Sequence, residues 1–107
     1  MKLIDQENFH SALEKLMVIY EDDKNNSNIQ TLIGFTYRNL GDYDNSLEFY
    51  KKAIINNPAN INAHRYIALS YIGIGEKKLA REHLDELIQI CNPIPCKEIV
   101  DLKEKLK

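Results

Sequence analysis

The sequence predicts an all-α protein built from consecutive pairs of helices. Three observations support this prediction. The chain resembles itself after one constant shift along the sequence, its apolar residues recur at steps of three and four, and glycines and prolines follow the apolar segments. The sequence shows no alternation of apolar and polar residues of the kind that would indicate a β-strand. A length of 107 residues is that of one ordinary domain.

The internal repeat sets the organisation of the chain. The shift that brings Ile33 onto Ile67 also superposes other identical residues, among them Tyr37 on Tyr71, Gly41 on Gly75 and Glu48 on Glu82. The same shift towards the N-terminus finds only the second half of another copy. We therefore predict a single domain over residues 1–107, with a half repeat at 6–26, full repeats at 27–60 and 61–94, and a capping helix at 95–107.

The half repeat and the first full repeat predict three helices, near residues 6–21, 28–40 and 43–56. Asn28 is the predicted N-cap of the second helix, because an asparagine side chain accepts hydrogen bonds from unpaired backbone N–H groups. Gly41 follows that helix, where glycine most easily adopts a left-handed conformation. Pro58 ends the third helix, because proline supplies no backbone N–H and restricts the residue before it.

The second full repeat has the same signals, with Asn62 and Gly75 at the corresponding positions and Pro93 one residue after the position that corresponds to Pro58. It predicts helices near residues 62–74 and 77–91. A last helix, near 96–106, has one apolar face and charged residues around the rest. We expect it to cap the stack, because a helical-repeat array needs a terminal element with a polar outer surface. Its apolar face consists of Ile99, Leu102 and Leu106.

Gly34 lies inside a predicted helix, where glycine costs about 1 kcal/mol relative to alanine. We interpret it as a point of close approach to the paired helix, against small residues such as Ser46 and Ala53. A leucine at this position is then expected to overpack the crossing. An alanine is expected to be tolerated, because Ala68 holds the equivalent place in the second repeat.

These segments resemble the tetratricopeptide repeat, a helix–turn–helix unit of about 34 residues. The shift from Ile33 to Ile67 has this length. The resemblance covers roughly residues 6 to 92; it lacks the family's tryptophan and has Ser46 in place of alanine. It implies a right-handed superhelical stack. The residues that carry it are Gln30-x2-Ile33-Gly34-x2-Tyr37 followed by Ser46-x3-Tyr50, Ala53 and Pro58, and His64-x2-Ile67-Ala68-x2-Tyr71 followed by Ala80-x3-Leu84 and Pro93.

The resemblance also implies a function. In this family the first helices of successive repeats line a concave groove that receives a peptide or helix of another protein. We therefore expect an interaction module: an adaptor, scaffold or assembly factor. The alternative is a structural protein that forms homo-oligomers through its exposed N-terminal end. The residues of this chain that the resemblance assigns to partner binding are Thr31, Leu32, Phe35, Arg38, Asn39, Arg65, Tyr66, Leu69 and Ile72.

Motifs of catalysis and cofactor binding are not found in the sequence. Glycine-rich phosphate loops, nucleophile elbows and the His-Glu-x-x-His zinc motif are missing, and His10, His64 and His83 are dispersed over three predicted helices. We expect no enzyme activity, no cofactor and no metal site. Cys91 and Cys96 favour two reduced thiols, and a disulfide across the short turn between them is the alternative.

Charge and hydropathy exclude two further classes of partner. The formal net charge is −2 and the lysines are interspersed with acidic residues, so we expect no nucleic-acid partner. No run of residues approaches the ~20 apolar residues that span a bilayer, so we expect no direct membrane insertion. The start of the chain becomes acidic at Asp5, before the apolar core of a signal peptide can form, and we therefore expect a cytoplasmic location.

Overall fold

A computed structural model describes residues 3–93 and 96–107, with side chains from Asn8 onward. In this part of the chain the regular structure is α-helical and contains no strand. The all-α prediction is confirmed, and the predicted ends of α2 to α6 agree with the observed ones to within one residue. The six helices are α1 Leu3–Asp22, α2 Ser27–Asn39, α3 Tyr43–Asn56, α4 Ile61–Gly73, α5 Lys77–Ile90 and α6 Lys97–Lys105.

The helices pack as two compact units, the first ending at Pro58 and the second beginning at Ala59. In the first unit, α1 and α3 both pack against α2. In the second, α5 packs against α4, and α6 packs against both of them. Consecutive helix–turn–helix pairs are therefore the building blocks. The predicted division into half a repeat, two repeats and a capping segment within one domain stays a prediction.

An aromatic cluster joins the three helices of the first unit. The Phe49 ring of α3 lies edge-on to the Tyr20 ring of α1, with 5.4 Å between the ring centroids. It also lies 5.8 Å from the Tyr37 ring of α2. Ile33 and Tyr50 are fully buried in the same unit. Edge-to-face aromatic pairs add about 0.5–1.5 kcal/mol beyond the burial of their area, so this cluster stabilises the attachment of α1.

The second unit is closed by α6. The three apolar side chains predicted to form its inner face, Ile99, Leu102 and Leu106, are all buried. Arg81 of α5 donates a hydrogen bond to the Leu106 carbonyl at the end of α6, at 3.1 Å. Full burial of one such aliphatic side chain is worth about 1.5–3 kcal/mol, so apolar packing is the main attachment of α6 to the unit.

The N-caps of α2 and α4 are asparagines that stand before the predicted ones. The side chain of Asn26 accepts a hydrogen bond from the Ile29 N–H at the start of α2. Asn60 accepts one from the Ala63 N–H at the start of α4. The predicted N-caps Asn28 and Asn62 are therefore wrong, and both lie exposed in the first helical turn. The repeat spacing is preserved, because the shift that brings Asn28 onto Asn62 also brings Asn26 onto Asn60.

Gly41 and Gly75 adopt the predicted left-handed conformation, with φ of 81° and 84°. After α2, the Gly41 N–H donates to the Arg38 carbonyl and the Asp42 N–H donates to the Tyr37 carbonyl. These two bonds form a Schellman motif, which pairs carbonyl groups that the end of a helix leaves open. Gly75 ends α4 in the same way. The tight turns that result connect the two helices of each repeat.

Cys91 and Cys96 form a disulfide, with 5.6 Å between their Cα atoms. The preferred prediction of two reduced thiols is therefore wrong, and the alternative of a local disulfide holds. The bond links the end of α5 to Cys96, the residue at the N-cap position of α6. It thus tethers the start of α6 to the helix on which α6 packs.

Candidate protein-binding surface

The α2 part of the predicted surface combines polar and apolar side chains and is partly accessible. Leu32 is 49% exposed, whereas Phe35 and Arg38 are half-buried. Asn39 is also half-buried, and its amide donates a hydrogen bond to the Phe35 carbonyl at 2.8 Å. Thr31 is only 6% exposed, and its hydroxyl donates to the Ser27 carbonyl one turn earlier. Leu32 therefore offers the most accessible apolar area of the five predicted residues on this helix.

The α4 part of the predicted surface combines an arginine with apolar side chains. The guanidinium carbon of Arg65 lies 5.4 Å from the centre of the Tyr66 ring, in a cation–π arrangement. Arg65 also faces Asp101 of α6, with 3.8 Å between a guanidinium nitrogen and a carboxylate oxygen. Tyr66, Leu69 and Ile72 are half-buried. The predicted surface of α4 is therefore polar at Arg65, near the start of the helix, and apolar further along, at Leu69 and Ile72.

A cleft of about 340 Å³ opens beside Arg65, between α4 and α6. Its lining contains both signs of charge, because it consists of two basic side chains, two acidic side chains and one asparagine. The ion pair of Arg65 with Asp101 is long and both side chains are accessible, 31% and 45% exposed. Such pairs contribute about 0–1 kcal/mol, so another charged group can replace either partner at little cost. The lining residues are Asn62, Arg65, Lys97, Glu98 and Asp101.

The described residues hold no group of three or more histidine, cysteine, aspartate or glutamate side chains that could bind a metal ion. Over the same residues, none of the helices combines the length and the apolar character needed to cross a bilayer.

Comparison with known proteins identifies the repeat. The sequence profile described as tetratricopeptide repeat matches residues 27–60, which contain α2 and α3. Residues 27–60 are a tetratricopeptide repeat. The match confirms the predicted family for this segment, and the chain therefore contains a repeat of the tetratricopeptide type. Tetratricopeptide repeats generally mediate protein–protein interaction and assembly.

A solved structure supports the tetratricopeptide fold over most of the chain. The crystal structure of MamA superposes with a TM-score of 0.69 over 92% of this chain, at 22% sequence identity. At this identity the likeness shows the fold alone. This chain spans about half the length of MamA, since the match covers 50% of that chain. A comparison with curated proteins finds no match.

The tetratricopeptide resemblance assigned groove residues to α2 and α4 but none to α6. α6 contributes Lys97, Glu98 and Asp101 to the lining of the cleft beside Arg65. From the sequence, the charged residues of α6 are assigned only to a polar outer surface. One signal could have found them: α6 follows α5 where the first helix of a further tetratricopeptide repeat would stand. The predicted residues lie together within each helix, and their union into one continuous groove stays a prediction.

Proposed function

We propose that this protein is a non-catalytic interaction module that binds a peptide or helix of another protein in the concave groove predicted for the first helices of the repeats, α2 and α4. The observation that carries the proposal is the placement of Arg65, which lines the α4–α6 cleft, against the Tyr66 ring. The cytoplasm is the location we propose for this activity.

The α4 face is suited to hold a charged anchor of a partner. Arginine and tyrosine are enriched among the residues that dominate binding energy in protein interfaces. The Tyr66 ring restricts the guanidinium of Arg65, so less conformational entropy is lost when a partner carboxylate binds it. That carboxylate would replace Asp101, whose weak ion pair is accessible to solvent. Leu69 and Ile72, further along α4, then supply apolar contacts.

The α2 face is suited to hold an apolar side chain. Leu32 is half-exposed, and Phe35 lies one turn further on the same face of the helix. Burial of the exposed half of a leucine is worth about 1 kcal/mol, and an aromatic neighbour increases that gain. We leave Thr31 out of the proposed contacts, because its side chain is buried and its hydroxyl is bonded within α2.

Site-specific photo-crosslinking in the cells that express the protein tests the proposal. A photoreactive amino acid at Leu32 or at Leu69 should capture the same partner protein, because both positions belong to the proposed contacts. Lys51 and Glu86, exposed on α3 and α5, are the matched control positions. The double change Phe35→Ala and Leu69→Ala should weaken capture by tenfold or more, about 1.4 kcal/mol. Capture from Lys51 or Glu86 but not from the proposed contacts would show that the second helices bind the partner.

Self-association through α1 is the second candidate function. Its support is an apolar patch on α1, where Val18 is 68% exposed and its neighbour Ile19 is also exposed. Light scattering over a concentration series should then show dimers or larger species, and Val18→Lys should restore the mass of a single chain. A constant monomer mass for the unaltered protein at all concentrations would exclude this candidate.

A further inference from the structure

Two histidines from different helices meet inside the second unit. His64 of α4 is only 3% exposed and His83 of α5 is half-buried. Their Nδ1 atoms are 3.0 Å apart, and their ring centroids are 5.3 Å apart. A nitrogen–nitrogen distance of this length is a hydrogen bond, in which one Nδ1 donates a proton and the other accepts it.

This geometry tolerates one added proton but not two. With both imidazoles neutral, or with one of them protonated, one Nδ1 still offers a lone pair to the other. With both protonated, each Nδ1 carries a hydrogen and an imidazolium has no acceptor left. Two like charges would then face each other at about 3 Å in a partly desolvated place, where repulsion is much stronger than in water. The pair must therefore separate to take up the second proton.

We propose that the His64–His83 contact makes the second unit acid-sensitive, so that protonation of both rings breaks the packing of α4 on α5. The direction follows from proton linkage. Histidines in an unfolded chain take up protons at about pH 6.5, and in that state each ring does so independently of the other. Below that pH the unfolded chain binds more protons than the folded pair, so the stability of the unit falls as the pH falls.

Other charged and aromatic groups lie near the pair. The Tyr71 ring of α4 stacks on His83, with 5.8 Å between the centroids. On α5, Glu86 is exposed and stands one turn from His83, whereas Glu82 is the preceding residue and points to another side of the helix. On the α6 side, Asp101 is already paired with Arg65, the residue after His64. The contact between the two Nδ1 atoms is the feature on which the proposal depends.

The first repeat provides a built-in comparison. Gln30 and Phe49 are the residues that the repeat shift brings onto His64 and His83, so the first repeat carries neither titratable side chain at these places. Gln30 is also buried, and its amide is satisfied by the Lys24 carbonyl at 2.7 Å and by the Asn56 side chain at 3.0 Å. A tetratricopeptide repeat thus tolerates uncharged side chains at both positions. The double variant His64→Gln, His83→Phe copies the first repeat.

Urea unfolding between pH 7.5 and 5.0, followed by circular dichroism, tests the proposal. For the unaltered protein, the folding equilibrium constant should fall by up to about tenfold per pH unit below pH ~6.5, as one excess proton on the unfolded state requires. The double variant should lose most of this dependence. The single variant His64→Gln should also lose it, because no second imidazole then faces His83. His10→Gln, which changes an exposed histidine of α1, should behave like the unaltered protein.

Amide hydrogen exchange measured by NMR on the unaltered protein provides a test without substitutions. On acidification to pH 5, the amides of α4 and α5 should lose protection before those of α2 and α3. The proposal is overturned if the unaltered protein and the double variant lose stability in parallel. It is equally overturned if both rings are protonated at pH 5 while the amides of α4 and α5 keep their protection.

Discussion

The ring of Tyr50 occupies the space into which any side chain on Gly34 would have to project. A β-carbon added at Gly34 would lie 2.6 Å from both Cδ1 and Cε1 of the ring and 3.1 Å from the Ser46 carbonyl oxygen. The predicted close approach of the two helices is therefore present, but its far side is an aromatic ring. In the second repeat the aligned residues are Ala68 and Leu84. The first repeat thus pairs the smaller Gly34 with the larger Tyr50, and the second pairs the larger Ala68 with the smaller Leu84.

Gly34→Ala should destabilise the unaltered protein, contrary to the expectation from the sequence. Alanine gains about 1 kcal/mol in helix propensity, but overpacking of a buried ring costs about 1–3 kcal/mol. We expect a net loss of about 1 kcal/mol in the free energy of unfolding. In a Tyr50→Leu background the sign should reverse, because the pair then matches Ala68 and Leu84. Urea unfolding of the four proteins in this cycle measures the coupling, and an equal effect of alanine in both backgrounds would contradict it.

Ser46→Ala should stabilise the protein. Ser46 is 1% exposed, and among the described residues its hydroxyl has no hydrogen-bond partner. A buried unpaired hydroxyl costs about 1–3 kcal/mol, and alanine is also the better helix former. We expect a gain of about 1 kcal/mol, or a melting temperature about 4–8 °C higher. Ser70→Ala is the control, because the Ser70 hydroxyl donates to the Tyr66 carbonyl at 2.9 Å and should give no such gain.

Asn26→Ala should cost more stability than Asn28→Ala. The Asn26 side chain caps α2 through the Ile29 N–H, and loss of an N-cap costs about 0.5–2 kcal/mol. Asn28 is exposed in the first turn of the helix, so its loss should change the free energy of unfolding by less than about 0.5 kcal/mol. Thermal unfolding of both variants compares the two losses of stability. A larger loss for Asn28→Ala would indicate that Asn28 is the N-cap, as predicted from the sequence.

The sequence was sufficient to predict the fold because the signals of each helix occur in both copies of the repeat. Glycine turns, apolar spacing and the internal repeat all agree, so the predicted helix ends differ little from the observed ones. The cap of α2 was misplaced because asparagines stand on both sides of Ser27. In the structure a tertiary contact accompanies the cap at Asn26, since the Ser27 hydroxyl donates to the Ala53 carbonyl of α3 at 2.7 Å. Local sequence carries no information about that bond.

The side-chain contacts were less predictable, because they depend on how two helices cross. His64 and His83 lie on different helices, and nothing in their spacing shows that their rings meet. The burial of Thr31 has a similar origin: helical spacing places it on the predicted face, but its hydroxyl bonds within α2 and its side chain is covered. Asp101 contacts Arg65 only because α6 packs on α4. Periodicity predicts which face of a helix is apolar, whereas these contacts also require the direction of each side chain.

The disulfide should stabilise the second unit without being essential for the attachment of α6. In the chain-entropy description, a bond between residues five apart removes about 2 kcal/mol of freedom from the unfolded chain. The burial of Leu102 and the bond from Arg81 to the Leu106 carbonyl remain after reduction. A dithiol reductant should therefore lower the free energy of unfolding by about 2 kcal/mol while circular dichroism shows unchanged helicity. The double variant Cys91→Ser, Cys96→Ser should have the same free energy of unfolding as the reduced protein, and the reductant should not change it. An unaltered protein whose urea midpoint is the same with and without reductant would show that this bond does not contribute to stability.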